Sequence, residues 1–274
     1  MGSTESLQKK KRVFSRDLVK IGDIFPTNNC GEVEVLQYTS AVKCDVKFIN
    51  TGSIVNVFAS NLRKGTVRDP LHRWQHGVGY LGVGPHKTLI VLDKKKYVHT
   101  REYATWSHML SRCYGSASKR KTNSCYNDVT VCEAWHNFQN FAEWFLENKP
   151  TASIPLHLDK DLKVPGSTQY SPLTCSFVPY RVNSLFTGWV ESKKIATGVI
   201  LHKPTNKYVV KICNTWDGVH KEHHVGTFDS EVEAKSAYIL HKVKIVKDVA
   251  EFYKNILDPI VYSNLTTNAE VFIR

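Results

Sequence analysis

No Cys-x-x-Cys pair occurs in the chain, although seven cysteines stand at positions 30, 44, 113, 125, 132, 175 and 213. An odd number without paired spacing argues against a disulfide framework and against a cysteine-based structural zinc site. A reducing compartment and mostly buried thiols are therefore expected. There is also no run of about 18 uncharged apolar residues, which excludes a membrane-spanning helix. The opening stretch, MGSTESLQKKKRVF, has basic residues but no apolar segment behind them, so no secretory signal is expected. Gly2 and Ser6 fall where a myristoylation pattern has them, but Thr4, Glu5 and the charged run that follows argue against it.

Acidic residues are in deficit. Against 37 Lys and Arg stand 25 Asp and Glu, a formal charge of +12. Residues 1–100 hold 16 basic and 8 acidic residues, 101–187 hold 9 and 7, and 188–274 hold 12 and 10. The segment charges are thus +8, +2 and +2, the electrostatic footprint of a polyanion binder weighted to its N-terminal third. What is present is ample for folding. Of 274 residues, 42% are hydrophobic and 11% aromatic, enough for one large domain or two to three small ones and too much for a disordered chain.

Residues 1–16 read as a solvated basic arm. From 17 to about 85 the runs GEVEVLQYTS, AVKCDVKFIN and SIVNVFASNLRKG are short and β-branched, broken at NNCG and NTGS, and predict a small antiparallel barrel or sheet. The glycines at 77, 79, 82 and 84 mark an irregular exit. GVGYLGVG lacks the strand-to-helix setting of a dinucleotide fingerprint. In REYATWSHMLSRCYG, Trp106, Met109, Leu110 and Cys113 have helical spacing. A polar loop, SASKRKTNS, leads to a second helix around 132–147, where Trp135, Phe138, Phe141, Ala142 and Phe145 recur at three and four as a core stripe.

The block 158–183 predicts a strand, a loop, a second strand and a helix. That order can hold one divalent metal between strand and helix and present it to a phosphodiester. Hydrolysis there needs a base for water and a Lewis acid for the leaving oxygen. Asp159 at the strand end and Asn183 on the helix are oxygen donors suited to a hard cation such as Mg²⁺.

LDKDLKVPGSTQYSPLTCSFVPYRVNSLF resembles the core of the HNH endonuclease family in its phage form. That family has an aspartate followed by a basic residue, then a Y-S-P-x-x-C-x-F/W-V strand, then a helical asparagine. Upstream, YATWSHMLSRCY, Tyr126 and VTVCEAWHNFQNFAEWF are similar to the run that precedes that core, so the resemblance covers about 103–187. It implies Mg²⁺ or Mn²⁺ as cofactor, held by Asp159 and Asn183. The chain departs from the pattern at two places. The family's first-strand histidine, the usual base, falls at Lys160, and its central asparagine falls at Thr174. Lys160 is a poor base unless it is buried and deprotonated. His157 shares a strand face with Asp159 and is a surrogate base. Either His157 or Lys160 would assist water or the scissile phosphate, with Thr174 orienting the base.

Residues 196–247 resemble an APETALA-type (ethylene-response-factor) DNA-binding domain, three antiparallel strands and a packing helix. GVILHKPTNKYVVKI and VGTFDSEVEAKSAY carry the likeness, with Asp229 or Ser230 as helix N-cap and Glu231 and Glu233 in the first turn. The resemblance implies a sheet laid in the major groove, with His202, Lys203, Lys207, Tyr208, Lys211, Trp216, Lys221 and His223 facing DNA. His220, His223 and His224 cluster, but without a well-spaced fourth ligand they do not read as a metal site.

The expectation is an α+β, multidomain chain. A basic arm (1–16) is followed by a small β-rich DNA-binding domain (17–100), an HNH-type ββα-metal core with preceding helices (101–187), and a three-stranded sheet plus helix with a C-terminal extension (188–274). The activity implied is a metal-dependent endonuclease of the homing type acting on double-stranded DNA, phage-encoded and at work in the cytoplasm of a bacterial host. No membrane and no protein partner is expected. The alternative is a sequence-specific DNA-binding protein whose catalysis has degenerated with the loss of the histidine.

Overall fold

The computed structural model describes residues 19–93, 96–116, 128–186, 198–216 and 219–273. The basic arm, most of the SASKRKTNS loop and Tyr126 lie outside them. Among the described residues the chain is a mixed α+β protein with several small sheets and six α-helices. No helix among them is long and apolar enough to cross a membrane. It divides into two compact units, Met1–Pro85 and His86–Arg274.

The first unit is an antiparallel meander of β1 (Ile24–Pro26), β2 (Glu32–Ser40), β3 (Lys43–Phe48) and β4 (Ile54–Val57). Alternation dictates its core. Val33 pairs with Phe48 and Val35 with Val46, and all four are buried on one face. The other face mixes signs, with Glu34 opposite Lys47. SIVNVFASNLRKG is strand only to Val57. It then turns into α1 (Ala59–Lys64), because Ala59 and Leu62 bury together one turn apart and Gly65, at φ +66°, closes the helix in the left-handed region. Asp69 pins the following segment: its buried carboxylate accepts from Thr51 Oγ1 (2.6 Å), Ser53 Oγ (2.7 Å) and the Leu71 N–H (2.8 Å). Exposed cations of this unit lie both on the sheet, at Lys43 and Lys47 of β3, and on α1 and that segment, at Arg63, Lys64, Arg68 and Arg73.

The second unit begins with a hairpin of β5 (Leu89–Asp93) and β6 (Lys96–His99), then α2 (Arg101–Tyr114), β7 (Thr130–Val131), a 3-10 turn (Glu133–His136) and α3 (Phe138–Asn148). The expected aromatic stripe is buried throughout, but the helix is interrupted. Asn137 caps α3 by accepting from the Gln139 N–H, which leaves Trp135 on the 3-10 turn. There its carbonyl accepts from Trp106 Nε1 at 2.7 Å. Next come β8 (Leu156–Asp159), β9 (Gln169–Tyr170), β10 (Ser176–Pro179) and α4 (Tyr180–Ser184), with β8 and β10 antiparallel. One face of this hairpin meets α3, where Phe177 stacks on Trp144 at 5.4 Å and meets Phe145 edge-on at 4.9 Å.

The C-terminal part forms an antiparallel sheet of β11 (Val199–His202), β12 (Lys207–Trp216) and β13 (Val219–Phe228), covered by α5 (Glu231–Phe252). Then follow α6 (Pro259–Thr267) and a final 3-10 turn (Ala269–Phe272). Ser230 is the N-cap of α5, its Oγ accepting from the Glu233 N–H at 3.2 Å. Gly198 is obligatory: it sits at φ +92°, and the Tyr238 ring occupies the space a Cβ would need.

The boundaries expected at 100/101 and 187/188 do not coincide with the division at Pro85. Helix α5 is the reason. Its first half buries Ala234 and Tyr238 against Val199, Val210 and Ile212 of the sheet. Its second half buries Val246, Val249 and Ala250 in one core with Leu162, Val178 and Val182, joined by Val261 and Leu265 of α6. The ββα segment and the C-terminal module therefore share a hydrophobic core.

Candidate active site

In β8 and β10, Leu158 and Phe177 pair on the face toward α3, while His157 pairs with Val178 and Asp159 with Ser176 on the other. Val178 belongs to the core shared with α4 and the C-terminal helices, so His157, Asp159 and Ser176 lie on that side of the hairpin. Helix α4 packs against both strands. The half-buried His157 ring lies 5.3 Å from that of Tyr180, the first residue of α4. Asn183 follows three residues later, on the same side of the helix as Tyr180. The topology thus brings His157, Asp159 and Asn183 to one side of a strand pair and its helix.

Asp159 is oriented by the turn that follows it. Its Oδ1 accepts from the N–H groups of Asp161 and Leu162, each at 2.8 Å, an Asx-type turn. Among the described residues both bonds fall on Oδ1, which leaves Oδ2 for another partner. Burial raises the Asp159 pKa; the Leu162 N–H acts against this, and neighbouring Asp161 adds to it. A desolvated carboxylate with one uncommitted oxygen is a place where a cation is favoured. The amide of Asn183 makes no hydrogen bond among the described residues.

Ser176 was not singled out by sequence reasoning. Its hydroxyl is buried, the residue only 5% exposed, and has no hydrogen-bond partner among the described residues. In register it stands directly across from Asp159. The signal was a polar residue in an apolar strand, SFVP, at the position paired with the acidic strand end.

Lys160 turns away from this group. It is 7% exposed; its Nζ donates to Asp161 Oδ1 at 2.6 Å and the Ser167 carbonyl at 2.7 Å, and sits 6.0 Å from the Tyr170 ring centroid. Its ammonium holds the 160–170 loop closed. Thr174 is likewise committed: its Oγ1 donates to the Gln169 carbonyl at 2.7 Å and accepts from the Ser171 N–H at 3.1 Å. These bonds tie residues 169–174 into one loop, and none reaches His157. Burial pushes the Cys175 thiol up to about 12 and that of Cys113 to about 11, so both behave as inert core side chains.

On the C-terminal sheet, alternation sorts the expected DNA-facing residues. His202 and Lys207 pair with each other on the face away from α5, and Lys211 pairs with His224 on that same face beyond a register shift at Val210/Lys211. Lys207 is ion-paired to Asp229 at 2.9 Å and Lys211 to Glu222 at 2.6 Å, while Lys203 is exposed in the turn. Tyr208 departs from expectation: it is half-buried against the helix-side core, because its register places it with Leu201 on the inner face. His223 pairs with the core residue Ile212 yet is exposed. Trp216 and Lys221 lie in β12 and β13, their side chains outside the described residues. His224, which the sequence reading did not assign to DNA, joins the outer face.

Among the described residues no three His, Cys, Asp or Glu side chains gather as a metal cluster. The candidate site offers one carboxylate and one amide, which suits a hard cation that keeps most of its water. Compared with known proteins, the chain matches no family model, no curated protein and no solved structure.

Proposed function

We propose that the chain is a metal-dependent DNA endonuclease of the HNH type, as its resemblance implies. The observation that carries this reading is the ββα arrangement, with Asp159 at the end of β8 and Asn183 on a helix packed against both strands. The desolvated Asp159 carboxylate and the amide of Asn183 would hold Mg²⁺ or Mn²⁺, which when bound supplies a Lewis acid at the scissile phosphate. His157, on the same face, takes the proton of the attacking water. Ser176, across from Asp159 in register, would donate to a ligand held beside it. The outer face of the C-terminal sheet supplies phosphate contacts and groove readout, and the cations of the first unit add affinity. The work is done in the cytoplasm of a bacterial host by a phage-encoded protein.

Plasmid cleavage in Mg²⁺ against EDTA, with Asn183→Ala beside the wild type, tests the reading. Cleavage in Mg²⁺ alone, lost in Asn183→Ala with DNA affinity kept within a few-fold, supports it. Equal cleavage by the variant refutes the metal site. A second reading, a DNA-binding protein without chemistry, is favoured by one observation: the residue at the family's base position, Lys160, is buried and bound. No cleavage by a wild type that binds duplex DNA would establish that reading.

His157 and Lys160 are separable. His157→Ala is expected to slow cleavage by roughly two to four orders of magnitude, the usual size of general-base catalysis. Lys160→Ala is expected to act through stability, lowering the melting temperature and losing activity only as the 160–170 loop loosens. Single-turnover rates beside melting curves check the ranking, and the reverse order would assign the base to Lys160. For the sheet, Lys203→Ala with Lys211→Ala is expected to reduce the slope of log affinity against log salt by about one for each phosphate that is no longer neutralised. An unchanged slope would remove these lysines from the interface.

A further inference from the structure

We propose that Asn264, on α6, is a positioning residue for Asp159, so that the C-terminal helices are part of the cation site rather than an appended reader. The inference rests on the metal-binding reading above. Asp159 is the last residue of β8, and among the described residues its carboxylate is oriented by the N–H groups of the turn at Asp161 and Leu162. That turn is held in place from about a hundred residues away. The Asn264 Nδ2 group donates to the carbonyls of both Leu162 (2.9 Å) and Lys163 (3.1 Å), bridging the two peptide planes that directly follow the Leu162 N–H.

Two further attachments fix the same turn to the same helix. Lys163 Nζ meets Asp258 Oδ2 at 3.0 Å in a largely buried ion pair, and Asp258 is itself the N-cap of α6, its Oδ1 accepting from the Ile260 N–H at 2.8 Å. The Leu162 side chain is buried in the core with Val261 and Leu265. A polar bridge, an ion pair and an apolar anchor therefore all act on Leu162 and Lys163, at the end of the turn that aims Asp159. Groups that hold a metal ligand from behind typically govern affinity by 10- to 100-fold. Helix α5 packs on both the sheet and this core, so the C-terminal helices hold the Asp159 turn as part of one packed body.

The test is Mn²⁺ binding to the full chain, followed by electron paramagnetic resonance without DNA. Wild type is expected to bind, and Asp159→Asn to lose that binding. Asn264→Ala and the near-isosteric Asn264→Asp, which removes the donor while keeping the shape, are expected to weaken binding about tenfold or more. Val210→Ala, a core truncation in the sheet, is the control for stability alone and is expected to bind as wild type does. Wild-type affinity in both Asn264 variants overturns the positioning role and leaves the nuclease reading intact. Equal weakening in Val210→Ala also overturns it, since the effect would then be global. Absence of Mn²⁺ binding by wild type overturns the metal reading and this inference together. If either Asn264 variant fails to fold, Lys163→Gln, which breaks the ion pair on the same turn, decides by the same readout.

Discussion

Asp159→Asn is expected to leave the protein folded, to raise its stability without metal, and to abolish cleavage. Asparagine keeps an Oδ1 to accept from the Asp161 and Leu162 N–H groups, so the turn survives. What is lost is the charge. Burial raises the Asp159 pKa in the folded protein above its unfolded value, so the unfolded chain releases this proton first as pH rises. Folded stability therefore falls as pH rises from the ordinary carboxylate range through the higher folded value, and it regains that contribution in acid. The variant lacks this slope. Denaturant unfolding across pH, with and without Mg²⁺, checks it: metal should stabilise wild type above that range and leave the variant unmoved. A variant less stable than wild type at neutral pH in the absence of metal would show that the carboxylate is not held at a cost. Asp159→Ala confounds the two effects, since it also orphans two turn N–H groups, worth about 1–3 kcal/mol each where buried.

Removal of residues 188–274 is expected to unfold the remaining part of the second unit, not to leave a weakly nicking core. Segment charge and motif order invite the opposite expectation, a self-contained nuclease with a detachable reader. The packing argues otherwise. Val246, Val249, Leu257, Val261 and Leu265 are buried against Leu162, Val178, Val182 and Leu185. At about 1.5–3 kcal/mol for each buried side chain, their removal withdraws roughly 7–15 kcal/mol, as much as a domain's whole stability. Circular dichroism and limited proteolysis of the truncated chain test this directly. A cooperatively melting, protease-resistant 1–187 fragment would contradict the shared core. Site preference is better separated from chemistry by substitutions on the outer sheet face, which leave α5 in place.

Much of the architecture was legible in short windows. Alternation located the strands of the first unit's sheet and of the C-terminal sheet, and three-and-four spacing located α2 and the aromatic stripe. Asp229 or Ser230, followed by two glutamates, marked the start of α5, and the structure assigns the cap to Ser230. These features depend on neighbours within a few residues, so local pattern suffices. The candidate site was legible in part. Asp159, His157 and Asn183 could be placed on a strand and a helix from their order alone, because a strand pair followed by a short helix leaves few ways to arrange them.

What only the tertiary structure decided is how each polar group is used. Lys160 and Thr174 occupy the positions where catalytic side chains were expected, yet their atoms are taken up by Asp161, Ser167 and Gln169 in a loop whose closure no spacing rule describes. Ser176 gained interest only when strand register set it opposite Asp159. Tyr208 moved to the inner face because the pairing with Leu201, not its chemistry, sets its side. The grip of Asn264 on the Asp159 turn, and the core that α5 shares with the ββα segment, join residues separated by some hundred positions. Such contacts form because the chain as a whole must bury its apolar faces and satisfy its buried polar groups at once, and that solution has no trace in any short stretch of sequence.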